Sequence, residues 1–181
     1  MRRQRLLHGF RAIAAFPLLL AGATVRAQPT ETAVKAAFLP KFLAYVEWPP
    51  TLRLPAGAHL NLCVIGTDPF GRALDEAVRG QQVDGHPVAV KRLPGAQGAD
   101  GCQVAFVNGS GGRGIAEMLA ALQGKPVLTV TDARAGPQRG IIHFVLAQGR
   151  VRFVIDQAAA QRDGLALSAR LLAVALEVRG R

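Results

Sequence analysis

Cysteine is scarce in this sequence, and what is missing around it is informative. The chain has only two cysteines, Cys63 and Cys102, and no Cys-x-x-Cys pair, which excludes the usual motif of a thiol–disulfide oxidoreductase. Neither cysteine stands in a cluster of cysteine and histidine with the spacing of a zinc site. A disulfide and a buried pair of free thiols remain, and the cellular compartment decides between them.

Acidic residues are missing from the first 27 positions, which contain five arginines. An apolar run at 12–23 follows, and Val25 and Ala27 are small residues where a signal peptidase needs them. This pattern predicts a secretory signal peptide over 1–27, cleaved near Ala27. An uncleaved membrane anchor is the alternative, but a dozen apolar residues fall short of the roughly 20 that span a bilayer.

Export would place the mature chain, residues 28–181, in an oxidising compartment outside the cytoplasm, with no stable membrane insertion after cleavage. In an oxidising compartment a lone cysteine pair is most simply a disulfide. A bond between Cys63 and Cys102 would close a loop of about 40 residues, which is worth about 4 kcal/mol in the chain-entropy model.

Clusters of one charge are also absent. Without the five signal arginines, 17 of the 22 basic residues face 12 acidic ones, a scattered net charge of +5, and aromatics are only 6% of the chain. Nucleic-acid binding needs a basic patch and stacking aromatics, so it is not expected.

No group of residues has the arrangement of a catalytic site. His59, His86 and His143 have no acid fixed near them by the sequence, and Ser110 and Ser168 lack the context of a nucleophile elbow. We therefore predict a protein that is not an enzyme and needs no cofactor or metal.

The fold prediction begins at LNLCVIGTDPFG, a buried strand over 60–65 that runs into a helix over 69–79, with Thr67 or Asp68 as its cap. The pattern repeats along the chain. Asp156 can cap a short helix, and Ser168 caps a C-terminal helix whose inward face comprises Leu171, Leu172, Ala175 and Val178. We predict a single-domain α/β fold, a mixed β-sheet of about six strands flanked by helices. The other strands are expected at 88–93, 103–107, 127–131, 141–147 and 150–156, and the other helices at 114–123 and 157–163.

The first predicted helix, within 30–50, is amphipathic, and Pro40 should kink it. The apolar side chains on one face of this helix either pack in the core or form a partner surface. They are Val34, Phe38, Phe42, Tyr45 and Val46.

A hairpin with the turn Gln148-Gly149 is the clearest local signal. Three apolar pairs are expected on its buried face: Leu146 with Val151, Phe144 with Phe153, and Ile142 with Ile155. The opposite face, with His143, Arg150, Arg152 and Asp156, has no core role that the sequence indicates.

Gly109, Gly111 and Gly114 spell Gly-x-Gly-x-x-Gly between a strand and a helix. The motif lies too late in the chain for a dinucleotide fold, and we predict no nicotinamide binding there. Two interpretations of this stretch remain. It is a plain surface loop or, as the weaker candidate, it binds an anion at the start of the helix that follows.

Several stretches together resemble the YfiR family of periplasmic proteins. They are AAFLPKFLAYVEWP, LCVIGTDPFG, GKPVLTVTD, GIIHFVLAQGRVRFVID and DGLALSARLLAVA, in the order and spacing of that family. The chain departs from the family at Pro40, at Val154-Ile155-Asp156 in place of Glu-Ile-Asn, and in having no second cysteine pair.

The resemblance implies regulation. Such a protein binds the periplasmic domain of an inner-membrane diguanylate cyclase or a sensor kinase, represses it, and so controls cyclic-di-GMP and biofilm formation. The sequence leaves open whether the protein forms a homodimer. The alternative function is a small-ligand or anion-binding module that uses the loop 109–114. The candidate partner-binding residues are His143, Arg150, Arg152, Asp156, Phe38, Phe42 and Tyr45.

Overall fold

The computed structural model describes residues 29–52, 54–109 and 114–180. The signal peptide predicted for 1–27 and Gly111 of the glycine motif lie outside these residues. None of the described helices is long and apolar enough to cross a membrane.

The described residues form five α-helices, three short 3₁₀ helices and ten strands. Three of the α-helices begin at a side-chain cap, because Thr30, Asp156 and Ser168 each accept a backbone N–H of the first turn. The helices are α1 (Glu31–Phe42), α2 (Arg72–Val78), α3 (Ile115–Ala120), α4 (Gln157–Arg162) and α5 (Ala169–Val174). The strands are β1 (Val46–Glu47), β2 (Leu60–Ile65), β3 (Gln82–Val83), β4 (His86–Leu93), β5 (Val104–Val107), β6 (Leu128–Asp132), β7 (Ile142–Ala147), β8 (Arg150–Asp156), β9 (Ala166–Leu167) and β10 (Glu177–Arg179).

The main sheet has eight strands in the order β10-β8-β7-β6-β5-β2-β4-β3. The five strands from β4 to β7 are parallel, while β3 and β8 pair antiparallel with their neighbours β4 and β7. The chain moves from β2 to β4 on one side and then to β5 on the other. In open α/β sheets, ligand sites form at the carboxyl ends of strands where the order reverses in this way.

Alternation along the strands creates a core on each side of the sheet. In β2, Leu62 and Val64 belong to the larger core cluster, which α1 and α2 cover, whereas Cys63 and Ile65 belong to the smaller one under α3. All four side chains are fully buried. The predicted mixed α/β fold is therefore confirmed.

The hairpin register is confirmed, because Ile142, Phe144 and Leu146 pair with Ile155, Phe153 and Val151. One burial prediction is wrong. Leu146 is 55% exposed, since the hairpin tip extends beyond the helices that cover its base.

Two elements near the C-terminus differ from the prediction. The last helix ends at Val174, and β10 then pairs in parallel with β8, so Val178 lies in a strand and not on a helix. Three residues after a short helix carry too little periodicity to reveal a strand, and their pairing with β8 decides the structure.

Cys63 and Cys102 form a disulfide with 5.9 Å between their Cα atoms, within the usual range for such bonds. Both cysteines are buried in the smaller core cluster, where the bond joins the middle of β2 to the residues that precede β5. The bond thus adds a covalent connection between two hydrogen-bonded strands.

We predict that Cys63→Ser lowers the free energy of unfolding by about 4 kcal/mol, because the unfolded chain regains the entropy of the closed loop. Urea titration of the oxidised protein and of the variant measures the difference. Reduced wild-type protein is the matched control and should resemble the variant. Two titratable thiols in protein that has not been reduced would contradict the prediction.

Candidate functional site

The hairpin turn has the backbone that the sequence requires. Gln148 and Gly149 both have positive φ, at 51° and 70°. Two successive positive φ values are characteristic of a type I′ turn, whose twist matches that of the two flanking strands. Gly149 adopts a positive φ without strain. The turn therefore fixes which residues of β7 and β8 share a face.

His143 is not on an open face, so the prediction that it is an exposed contact residue is wrong. It is only 3% exposed, and its Nδ1 lies 2.8 Å from the hydroxyl oxygen of Thr131 on β6. That hydroxyl also accepts the N–H of Gly140 at 2.9 Å. Burial lowers the pKa of His143, and the positive charge of Arg139 lowers it further. The neutral ring thus belongs to the packing of the sheet.

The other three hairpin candidates differ in role. Asp156 caps α4 by accepting the N–H of Ala159 at 2.8 Å. This role within the fold explains the aspartate without any binding partner. Arg150 is exposed near the hairpin tip, and Arg152 is half-buried. Neither arginine side chain makes a hydrogen bond or ion pair within 29–52, 54–109 and 114–180, so both stay candidates for a contact.

Aromatic packing divides the stripe of α1. Phe42 is 2% exposed and lies 5.4 Å from Phe153 and 5.9 Å from Phe144, measured between ring centroids. It is a core residue, so its prediction as an exposed contact is wrong. Phe38 is half-buried and contacts the same two rings, while Tyr45 is 38% exposed.

A shallow apolar groove lies between α1 and α5. Its volume is about 240 Å³, and Phe38 and Tyr45 form one wall. Val174 of α5, which is 58% exposed, forms part of the other wall, with Lys41 and Arg170 also lining the groove. We call this the α1–α5 groove. Val174 is not among the residues predicted from the sequence, because it lies outside the apolar face expected for the last helix.

A second cleft, also about 240 Å³, opens at the carboxyl ends of the parallel strands. Its lining includes Phe70 after β2, Asn108 after β5 and Asp132 at the end of β6. Phe70 packs edge-on against Phe106 with ring centroids 4.7 Å apart. The cleft lies where the order of the strands reverses.

Beside this cleft, Lys35 of α1 is buried between two carboxylates. Its Nζ lies 2.5 Å from Glu31 and 2.5 Å from Asp132, and Lys35 is only 3% exposed. Arg134 forms an ion pair with the second oxygen of Glu31 at 2.6 Å. The cluster ties α1 to β6, and the one sequence signal for it was a lysine inside an apolar stretch.

The glycine motif gains little support as an anion site. Gly109 follows β5 and Gly114 precedes α3, but α3 has only six residues. So short a helix sums few peptide dipoles at its start. Within the described ranges no group of histidine, cysteine and acidic residues could hold a metal ion. Anion binding by this loop stays a prediction.

We predict that Lys35→Met lowers the free energy of unfolding by about 3–5 kcal/mol, because the buried carboxylate of Asp132 then lacks its cation, whereas Glu31 keeps its ion pair with Arg134. Lys41→Met removes an exposed lysine from the same helix and should cost no more than about 0.5 kcal/mol. Urea unfolding of both variants gives the comparison. Equal stability of the two would show that the cluster is dispensable for folding.

A pH effect follows from His143. Because its pKa in the folded protein lies below the ordinary value of 6.5, the unfolded chain takes up the proton more readily. Stability should therefore be full above about pH 6.5 and should fall as the pH drops from there towards the lowered pKa. Urea unfolding at pH 7.5 and pH 5 should show a smaller loss in His143→Gln than in wild type. His59→Gln, at an exposed position, is the control and should keep the wild-type loss.

Comparison with known proteins agrees with this architecture. A model of the YfiR/HmsC-like family (DUF4154) matches residues 32–176, which spans the chain from α1 to the end of α5. A search of curated proteins finds no match to the chain. Proteins of the matching family are periplasmic and non-catalytic, and they generally interact with the periplasmic domain of a diguanylate cyclase. The chain therefore belongs to the YfiR/HmsC-like family, whose members regulate cyclic-di-GMP signalling from the periplasm.

Proposed function

We propose that this protein binds the periplasmic domain of an inner-membrane diguanylate cyclase and holds the enzyme inactive. Release of the protein then raises cyclic-di-GMP and promotes biofilm formation. The observation that carries the proposal is the family match over residues 32–176, which includes every element that forms the two candidate contact surfaces. The signal peptide predicted for 1–27 supports the same compartment.

The first candidate contact surface is the α1–α5 groove. Apolar side chains on rigid helices make effective anchors for a partner, and aromatic residues contribute most often to binding energy. Tyr45 and Val174 are both exposed there, while Phe42 and Leu171 form a buried base. Lys41 and Arg170 add positive charge, so an apolar side chain with acidic neighbours would fit the groove.

The second candidate surface is the outer face of the hairpin at Arg150 and Arg152. Arginine is enriched at the centres of interfaces because its planar group pairs with carboxylates in two-point contacts. Arg152 lies opposite Val145 on the face that does not carry Phe144 and Phe153. The two surfaces therefore lie on opposite faces of the same hairpin, and separate variants can test them.

We predict that the chain lowers cellular cyclic-di-GMP when it is expressed with a membrane diguanylate cyclase from its own genome. Val174→Glu should relieve this repression if the groove is the contact, and Arg152→Glu should relieve it if the hairpin is. Both changes should leave stability within about 0.5 kcal/mol, because neither side chain makes a polar contact in the described structure. Cyclic-di-GMP and melting temperature are measured in the same strains.

Two matched controls accompany these variants. Ala116→Glu places the same carboxylate on an exposed position of α3, and Lys91→Glu makes the same charge reversal on β4, near the far edge of the sheet. Both should repress like wild type. Repression that survives Val174→Glu and Arg152→Glu alike would exclude both surfaces. A chain that never lowers cyclic-di-GMP with any cyclase of its genome would contradict the proposed function itself.

A further inference from the structure

The strand β10 forms one border of the main sheet. It stands last in the order of the eight strands, and within the described residues it pairs only with β8. The N–H and C=O groups along such a border can pair with a strand of another chain. A border that accepts a strand needs a fixed position, free backbone groups and side chains that match those of the incoming strand.

The position of β10 is fixed at both of its ends. Just before the strand, Leu176 donates its N–H to the carbonyl oxygen of Phe153 on β8 at 2.8 Å. Just after it, Gly180 lies so close to α4 that a Cβ there would come within 2.5 Å of the Cβ of Ala158. Between these two contacts, all three residues of β10 are in register with β8. The border is therefore part of the folded sheet and not a loose end.

The backbone of Val178 faces away from the sheet. Asp156 of β8 donates its N–H to Ile141, the residue that precedes β7. Because hydrogen-bonding direction alternates along a strand, Phe153 and Ile155 direct their backbone groups to β10, and the bond to the carbonyl of Phe153 agrees with this. Val178 is the register partner of Ile155, so the residues on either side of Val178 receive these bonds. The N–H and C=O of Val178 thus lie at the free border.

The charged side chains of β10 match a second copy of the same strand. Glu177 and Arg179 are exposed on one face of the sheet, where the Nε of Arg179 donates to Glu177 at 2.6 Å. If two copies pair antiparallel about Val178, Glu177 of each copy lies opposite Arg179 of the other. Four charges then alternate in sign, and opposite charges at paired positions stabilise antiparallel strands. The charge pattern of this border is therefore complementary to itself.

Apolar side chains accompany the same border. Val178 is the partner of Ile155 in the larger core cluster, so it lies on the opposite face from the two charges. Val174 and Leu176 are 58% and 48% exposed, and they are two of the four large apolar side chains exposed in the described part of the chain. In the antiparallel pair, Leu176 comes opposite Gly180 of the second copy, where no side chain competes for space. Association would therefore remove apolar surface from water.

We propose that the protein forms a symmetric dimer in which the β10 strands of two copies pair antiparallel and join the two main sheets. The two-fold axis passes beside Val178, whose N–H and C=O bond to the same residue of the second copy. A two-fold interface uses one surface twice, and the sequence Glu-Val-Arg suits this because its charges match when it is reversed. Glu177 and Arg179 do not line the α1–α5 groove and do not belong to the hairpin, so the proposal does not depend on the proposed partner.

The test measures self-association of the purified chain by analytical ultracentrifugation between about 1 and 200 µM, the range expected for a small interface. Wild type should pass from monomer to dimer over this range. Glu177→Arg and Arg179→Glu should each weaken dimerisation at least about tenfold, because each sets like charges opposite one another. An equal mixture of the two variants should form a mixed dimer within about threefold of the wild-type affinity, since opposite charges then meet again.

Matched controls accompany these variants. Glu117→Arg and Lys91→Glu make the same charge reversals at exposed positions of α3 and β4 and should dimerise like wild type. Val178→Pro removes the outward N–H, a change that the border of a sheet tolerates, and should abolish dimerisation, whereas Val178→Thr keeps the N–H and should preserve it. The charge variants decide the result if Val178→Pro lowers the melting temperature.

Three outcomes would overturn the proposal. The first is wild type that stays monomeric at about 200 µM, well above the range expected for a specific dimer. The second is a pair of single charge variants that dimerise like wild type, which would place any dimer contact elsewhere. The third is a mixture of the two variants that associates no better than either alone, which would exclude the antiparallel pairing of β10.

Discussion

The contact between α1 and the hairpin of β7 and β8 is the interaction on which the candidate surfaces depend. Phe38 and Phe42 of the helix pack against Phe144 and Phe153 of the hairpin, with ring centroids 5.4–6.2 Å apart. Aromatic pairs at this spacing add about 0.5–1.5 kcal/mol each beyond the burial of their area. Because the rings fix the helix on the sheet, they also fix the wall of the α1–α5 groove that Phe38 and Tyr45 form.

The same helix is fixed at its other end by charge. Lys35 of α1 forms ion pairs with Glu31 of the same helix and with Asp132 of β6, beside the cleft at the carboxyl ends of the strands. A buried ion cluster is a costly way to stabilise a fold, since apolar residues of the same volume often do as well. What this cluster adds is a direct contact between α1 and β6, two elements that lie far apart in the chain.

The two sides of the sheet are stabilised differently. The side that packs on α1 and α2 is apolar apart from the ion pair between Lys35 and Asp132. On the other side, β6 and β7 carry Thr129, Thr131 and His143, three polar residues that are nearly or fully buried. Their hydrogen bonds to each other and to the backbone at 140–141 satisfy polar groups that would otherwise be buried without partners. The disulfide strengthens the neighbouring part of the same side.

Local pattern determined much of this protein. The strand over 60–65, the register of the hairpin, the caps Asp156 and Ser168, and the pairing of the two cysteines all follow from residues whose signal is short-range or set by the compartment. A turn that admits one backbone and an alternation of period two leave little freedom, so these features could be predicted from the sequence.

Tertiary structure decided which side chains remain exposed and which charges meet. Nothing near His143 in the sequence indicates that its ring will meet the hydroxyl of Thr131 in the interior, and nothing near Lys35 indicates a carboxylate at position 132. Phe42 and Tyr45 lie in one apolar stripe, yet only Phe42 reaches the rings of the hairpin, so one is core and the other surface. The β10 strand exists because β8 offers it a free edge. Burial depends on neighbours that are distant in the chain. The sequence could therefore indicate candidate contact residues, but only the tertiary packing decided which of them are exposed.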